Sequence, residues 1–243
     1  MRKWFAGFLL VAGLACVAPA HAIDDNFDKT APLAPGGALH LENINGSVDV
    51  TAWDRNVVEI QAVKSTRRDP ADLQRVTIEV VEKTGRVDVL THYPQDGSVD
   101  VTVEYHVHVP RHVRLDHVAT VNGNVRVTGV DGQGELRTVN GNVELYDCAG
   151  GFNARSTNGG IREELYRLDP AEFSLQTING SILLAVPPNT AAELDARSMN
   201  GDIRSDVPVS VNGAFSPGKF HGKLGAGGKF VHIRTVNGAI QIA

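Results

Sequence analysis

The sequence predicts an all-β protein: a parallel β-solenoid, or β-helix, of about six rungs, preceded by a less regular antiparallel β part. Three observations carry this. Asn-Gly recurs at Asn45, Asn122, Asn140, Asn158, Asn179, Asn200 and Asn237. From Asn122 the steps are 18, 18, 21, 21 and 37 residues, the last close to two periods. A fixed period of this size belongs to repeat architectures, in which one short unit is stacked many times. Finally, one template surrounds every pair.

In that template a hydrophobic or small residue lies four before Asn: Leu41, Val118, Leu136, Ala154, Leu175, Ala196 and Ile233. Two before Asn lies a hydroxyl: Thr120, Thr138, Ser156, Thr177, Ser198 and Thr235, with Asn43 in the first copy. Three after Asn lies Val or Ile: Val48, Val125, Val143, Ile161, Ile182, Ile203 and Ile240. Five after Asn, Val50, Val127, Leu145, Leu184 and Ile242 are apolar, and Glu163 and Ser205 are the exceptions. Each flank therefore alternates as a short strand does. The Asn-Gly between them reads as a corner, because both residues tolerate positive φ.

Two arrangements satisfy this pattern. Each pair could be a two-residue hairpin turn in an antiparallel meander. Alternatively, each could be the corner of one solenoid rung. The recurring hydroxyl favours the second, since a hairpin turn has no use for it. Stacked rungs lie about 4.8 Å apart, which sets amide on amide, hydroxyl on hydroxyl and Val or Ile on Val or Ile. The expected structural ladder is Asn45, Asn122, Asn140, Asn158, Asn179, Asn200 and Asn237, with Gly123, Gly141, Gly159, Gly180, Gly201 and Gly238 beside them.

Along the chain, residues 1–22 read as a secretory signal. Arg2 and Lys3 are charged, Phe5 to Ala18 is apolar, and Ala20-His21-Ala22 is a small-x-small cleavage site. The expected location is exported, periplasmic or extracellular, in association with the cell envelope. Residues 23–37 form a leader. Residues 38–118 form an N-terminal β part, with strands near residues 57–63, 76–81, 87–90 and 99–109. Pro110 ends the last of these. Residues 119–243 form the Asn-Gly solenoid, interrupted by a Gly-rich insert at 208–229 that includes an out-of-register Asn212-Gly213.

Charge and cysteine content narrow the classes of function. Removing residues 1–22 takes Lys+Arg from 23 to 21 and leaves Asp+Glu at 28, a net charge of −7. That balance argues against nucleic acid, which needs a basic surface. Cys148 is the one cysteine after the signal. It cannot form an internal disulfide and reads as a small buried residue.

These residues resemble a known family. A strand ending in Val109-Pro110 precedes Thr120-Val121-Asn122-Gly123-Asn124-Val125. Further Asn-Gly copies follow, and a Gly-rich segment leads to Ile233-Arg234-Thr235-Val236-Asn237-Gly238-Ala239-Ile240. The whole is similar to the DUF4097 family of adhesin-like β-strand-repeat proteins over roughly residues 38–243. The resemblance implies a β-helix or solenoid and carries no catalytic residues. The adhesin label rests on fold analogy, and a fold does not by itself fix a function.

Three candidate sites follow. The first is a set of outward arginines: Arg137, Arg155, Arg197 and Arg234 three before Asn, and Arg126, Arg162 and Arg204 four after it. Stacked in rows, they suit an anionic envelope polysaccharide, because guanidinium forks match carboxylate and phosphate. The competing reading is a solvated mixed-charge face, with Glu144 pairing across strands to Arg126 and Arg162. The second is His106-x-His108, near His112 and His117, where exposed alternation outweighs a metal site. The third is catalysis by Asp131, Asp147 or Asp169. These occur singly at turn positions, and no nucleophile, phosphate-binding or zinc motif accompanies them. The expectation is therefore no enzyme, no metal and no cofactor. The expected function is binding or scaffolding at the envelope, with another exported protein as the alternative partner and a polysaccharide-cleaving enzyme as the less favoured class.

Overall fold

The structure is a computed structural model and describes residues 23–95, 97, 99–169, 172–211 and 218–243. The signal reading at residues 1–22 and the Asn212-Gly213 pair lie outside the described residues. Within them the chain is all-β, with one short helix. In chain order the elements are β1 (Ile23–Pro32), β2 (Ala38–Glu42), β3 (Val48–Trp53), β4 (Val57–Thr66), α1 (Asp72–Arg75), β5 (Thr77–Lys83), β6 (Arg86–His92) and β7 (Val101–Pro110). There follow β8 (Arg114–Ala119), β9 (Val125–Thr128), β10 (Asp131–Arg137), β11 (Val143–Arg155), β12 (Ile161–Leu168), β13 (Phe173–Asn179) and β14 (Ile182–Ala185). Last come β15 (Ala192–Asn200), β16 (Ile203–Ser205), β17 (Val209–Val211), β18 (Lys219–Leu224), β19 (Phe230–Asn237) and β20 (Ile240–Ile242).

These strands form one sheet of mixed orientation that nearly closes like a barrel. The strands flanking each Asn-Gly pair with other copies, not with each other, so the meander of hairpins is not formed. Strands before Asn, with β6 added at one end, build one parallel column in the order β6, β2, β8, β10, β11, β13, β19, β15. Strands after Asn, with β7 added at the same end, build a second in the order β7, β3, β9, β11, β12, β14, β20, β16. The long β11 serves both, its first half in the second column and its second half in the first. Antiparallel strands flank the columns: β5 on β6, β4 and β1 beyond β7, and β18 with β17 beyond β15.

The expected count of about six stacked copies is corrected to seven, because β2 and β3 around Asn45 pair directly with β8 and β9. The spatial order also departs from chain order. The copy at Asn237 is inserted between those at Asn179 and Asn200. The 37-residue step is therefore an excursion, not two periods in line. The chain leaves β16, places β17 and β18 against the free side of β15, and returns one position inward.

The alternation in the sequence becomes inside and outside. All seven residues four before Asn are fully buried, from Leu41 to Ile233. Six of the seven aliphatics three after Asn are buried too. They face each other across a single apolar core that also takes Tyr105, Phe152 and Phe173. Cys148 is part of that core, and burial pushes its thiol up to about 11. A thiol held protonated inside a core is unreactive.

Candidate functional site

The Asn-Gly positions set the geometry of the surface. The seven side-chain amides form one continuous column. Each Nδ2 donates to the Oδ1 of the next asparagine, in the order Asn200, Asn237, Asn179, Asn158, Asn140, Asn122, Asn45. The six bonds run from 2.7 to 2.9 Å. The hydroxyls behave differently from the expected hydroxyl-on-hydroxyl ladder. Each donates to the glycine carbonyl of the adjacent copy, as Thr138 does to Gly123 at 2.8 Å and Ser156 to Gly141 at 2.8 Å. These hydroxyls are buried, and so satisfy carbonyls that water cannot reach.

The expectation of positive φ holds at Gly46, with φ 118°, and fails for the asparagines. None of the seven asparagines has positive φ; among the described residues the sole non-glycine that does is Asp147. What the position demands is close approach. A Cβ on Gly141 would lie 2.0 Å from the carbonyl oxygen of Gly123, and one on Gly123 would lie 2.2 Å from that of Gly46. The glycines let backbone stack on backbone at rung spacing.

This stacking orders the arginines. Three before Asn, the register runs Glu42, Ala119, Arg137, Arg155, Gln176, Arg234, Arg197. Arg137, Arg155, Arg234 and Arg197 line one groove of about 530 Å³. Arg197 is hydrogen-bonded to Asp195 at 3.1 Å, and Arg234 lies 3.9 Å from the same carboxylate. Burial works against ionisation of Asp195, but Arg197 and His232 overcome it and hold the carboxyl below its usual range. Arg137 and Arg155 are exposed, directly paired in register, and have no carboxylate partner among the described residues. Two cationic side chains on neighbouring strands, whose backbones lie about 4.8 Å apart, repel, and an anion between them relieves that repulsion.

The remaining arginines do not join this groove. Arg126 donates to Glu144 at 2.7 Å, Arg162 to Glu164 at 2.6 Å and Arg204 to Asp202 at 3.3 Å. Arg162 lines a separate concavity of about 340 Å³ with Glu144, Leu183 and Gln241. The structure thus brings together four of the seven arginines and pairs the other three with acids.

The histidines are dispersed. His106 lies 3.5 Å from Asp49, His112 3.8 Å from Asp131 and His117 3.9 Å from Glu135. His108 stacks on Trp53. No cluster of three metal-ligating side chains occurs among the described residues. The carboxylates do come closer than their sequence positions imply. Asp131 and Asp169 line one cleft of about 290 Å³ with His112. There the Tyr166 hydroxyl donates to Asp131, and Arg167 donates to Asp169 at 2.9 Å. The carboxyl raised towards neutrality is elsewhere. Glu163 is fully buried, which pushes it up to about 8, and it is out of reach of any substrate.

One further candidate row is not singled out by the repeat template. The residue immediately before Asn is Ile44, Val121, Val139, Thr157, Ile178, Val236 or Met199, in stacked order. It faces the same side as the arginines two residues earlier, and Thr157, Ile178, Val236 and Met199 line the arginine groove. The signal was present, six apolar residues of seven, but solvent-facing apolar positions are ordinarily discounted.

Fold and site together define a β-repeat protein whose stacked copies present side chains in rows. The chain belongs to the family described as Toastrack DUF4097, matched over residues 38–243. Solved structures similar to it include a "putative cell adhesion protein" from Clostridium sporogenes, 11% identical, covering 90% of this chain and 99% of that one with a TM-score of 0.41. Others are a "putative adhesin" from Bacteroides fragilis, at 10% identity, 90% and 97% coverage and a TM-score of 0.33, and one from Parabacteroides distasonis, at 11%, 90% and 97%, and 0.26. These three neighbours are titled as adhesins or a cell adhesion protein, and a further one from Parabacteroides distasonis as a "putative lipid binding protein". No curated protein matches the chain. No helix among the described residues is long and apolar enough to cross a membrane.

Proposed function

We propose that this chain is an exported, non-enzymatic, adhesin-like module that binds an anionic ligand, such as an acidic glycan, at the cell envelope. In this reading residues 1–22 are a cleaved signal, and the two columns form a short β-solenoid that acts as a rigid display. The continuous amide column and the parallel register of all seven copies support the solenoid. One observation carries the binding: Arg137 and Arg155 stand exposed, adjacent and without a carboxylate, in a groove that also takes Arg234 and Arg197. Rigid spacing matters because a preordered row loses little freedom on binding a repetitive ligand.

The test is retention on immobilised polygalacturonate. The wild-type protein is retained at low salt and released as salt rises, since exposed charges are screened. Glu substitutions at Arg137, Arg155 and Arg197 together abolish retention. Equal retention of wild type and triple variant overturns the proposal.

A further inference from the structure

The groove is not purely cationic. Seven large apolar side chains are exposed among the described residues, and four of them, Ile44, Val121, Ile178 and Met199, occupy the single repeat position before Asn. Met199 is 77% exposed and Ile178 47%. Isolated exposed apolar residues are ordinary, whereas a contiguous run marks a binding surface. Here stacking sets Ile44 beside Val121, and Ile178 and Met199 on either side of the half-buried Val236, with Val139 and Thr157 between the two groups. The second group forms a rail parallel to the arginine row and two residues away, and it lines the same groove as the arginines, whereas Ile44 and Val121 lie outside that groove.

Neither half of this groove accounts for the other. A hydrophilic polyanion neutralises Arg137 and Arg155 but leaves the rail in water. A purely apolar ligand covers the rail but leaves the guanidiniums unneutralised. A ligand that uses both joins an anionic group to a hydrocarbon chain. From Ile178 through Val236 to Met199, the stretch that lines the groove beyond the arginine pair, the rail spans two steps of about 4.8 Å, roughly 10 Å. The acyl chain of one membrane leaflet spans about 15 Å, half the hydrocarbon core. The rail is therefore long enough to cover about two thirds of one such chain.

We infer that the groove binds an anionic lipid, with its headgroup phosphate on Arg137 and Arg155 and its acyl chain along Ile178, Val236 and Met199. This rests on the proposed anion-binding reading and narrows its ligand class.

The experiment measures binding of the purified protein to dihexanoylphosphatidylglycerol, below its micelle concentration, and to glycerol phosphate, its headgroup alone. The lipid binds at least about tenfold more tightly, because methylenes leave water. The double variant Ile178→Asn, Met199→Gln changes exposed side chains only. It loses that tenfold gain. The double variant Arg137→Glu, Arg155→Glu loses all three ligands. Equal affinity for lipid and headgroup, or unchanged lipid binding in the rail variant, overturns the lipid inference and leaves the anion site standing. Lipid binding that survives the arginine variant also overturns it. An acidic Leu/Glu peptide that binds where the lipid does not assigns the groove to a protein partner and overturns it too. Polygalacturonate retention unchanged by the arginine variant instead removes the underlying reading.

Discussion

Replacing Glu163 by leucine should stabilise the protein, and by an amount that grows with pH. Glu163 occupies the inward position five after Asn158, where five of the other six copies carry Val, Leu or Ile. In register it lies between Leu145 and Leu184 of the adjacent copies. It is 0% exposed. Burial therefore raises its pKa from 4.5 to about 8, and the backbone N–H of Phe152 opposes this only weakly. The sign follows from where the proton sits. Below about pH 4.5 folded and unfolded chains both hold it, and the contribution to stability is intact. Between 4.5 and 8 the unfolded chain releases the proton while the folded chain keeps it. Stability then falls by about 1.4 kcal/mol per pH unit, and the loss is complete above about 8. At pH 7 it amounts to about 3 kcal/mol, and across the whole window to about 5 kcal/mol. Glu163→Leu removes that slope. Urea unfolding of wild type and variant from pH 5 to pH 9 measures it, because titrations common to both cancel in the difference. Glu163→Gln, which cannot ionise, flattens the difference in the same way. A difference between Glu163→Leu and wild type that does not change with pH would show that the carboxyl is solvated in the folded state, and the reasoning would fail.

Three further outcomes test the stacking. Gly141→Ala should destabilise by about 1–3 kcal/mol, since its Cβ would sit 2.0 Å from the Gly123 carbonyl oxygen and backbone must move; a thermal midpoint equal to wild type refutes the close approach. Asn158→Ala breaks two bonds of the amide column and Asn45→Ala one, so chemical denaturation should show about twice the loss for the first, on the order of 1 kcal/mol per bond; equal losses mean the column is not cooperative. Cys148 should resist alkylation by iodoacetamide in the folded protein at pH 8 and react fully in urea, because its thiol is buried and pushed up to about 11; rapid native labelling contradicts the packing.

Much of this was legible because each repeat states its own local structure. Alternation around Asn-Gly gave the strand faces, and every position read as inward in the first half of the template is buried. The hydroxyl was visible as a requirement, but its partner was not. A glycine carbonyl in the next copy becomes a buried acceptor only after stacking, so Thr138 and Gly123 have no local reason to be linked. The same holds for the arginines. Sequence alone treats Arg126 and Arg155 alike, but Glu144 neutralises the first, and no carboxylate reaches the second among the described residues. The carboxylates of Asp131 and Asp169, thirty-eight positions apart, line one cleft for the same reason.

The sequence by itself determined that the protein is β, that seven like units recur, and which side chain of each faces in. All of that follows from a two-residue alternation and the size of each residue. Only the tertiary structure decided which copy lies beside which. Parallel pairing of like templates is nearly degenerate in energy, so local pattern cannot order the copies. The excursion through β17 and β18 instead covers the free side of β15 and returns the last copy to the interior of the stack. That choice puts Arg234 between Gln176 and Arg197 and leaves Met199 on the terminal copy. It also separates the two exceptions in the template: Ser205, on that terminal copy, is exposed, while Glu163, between two leucines, is sealed in the core.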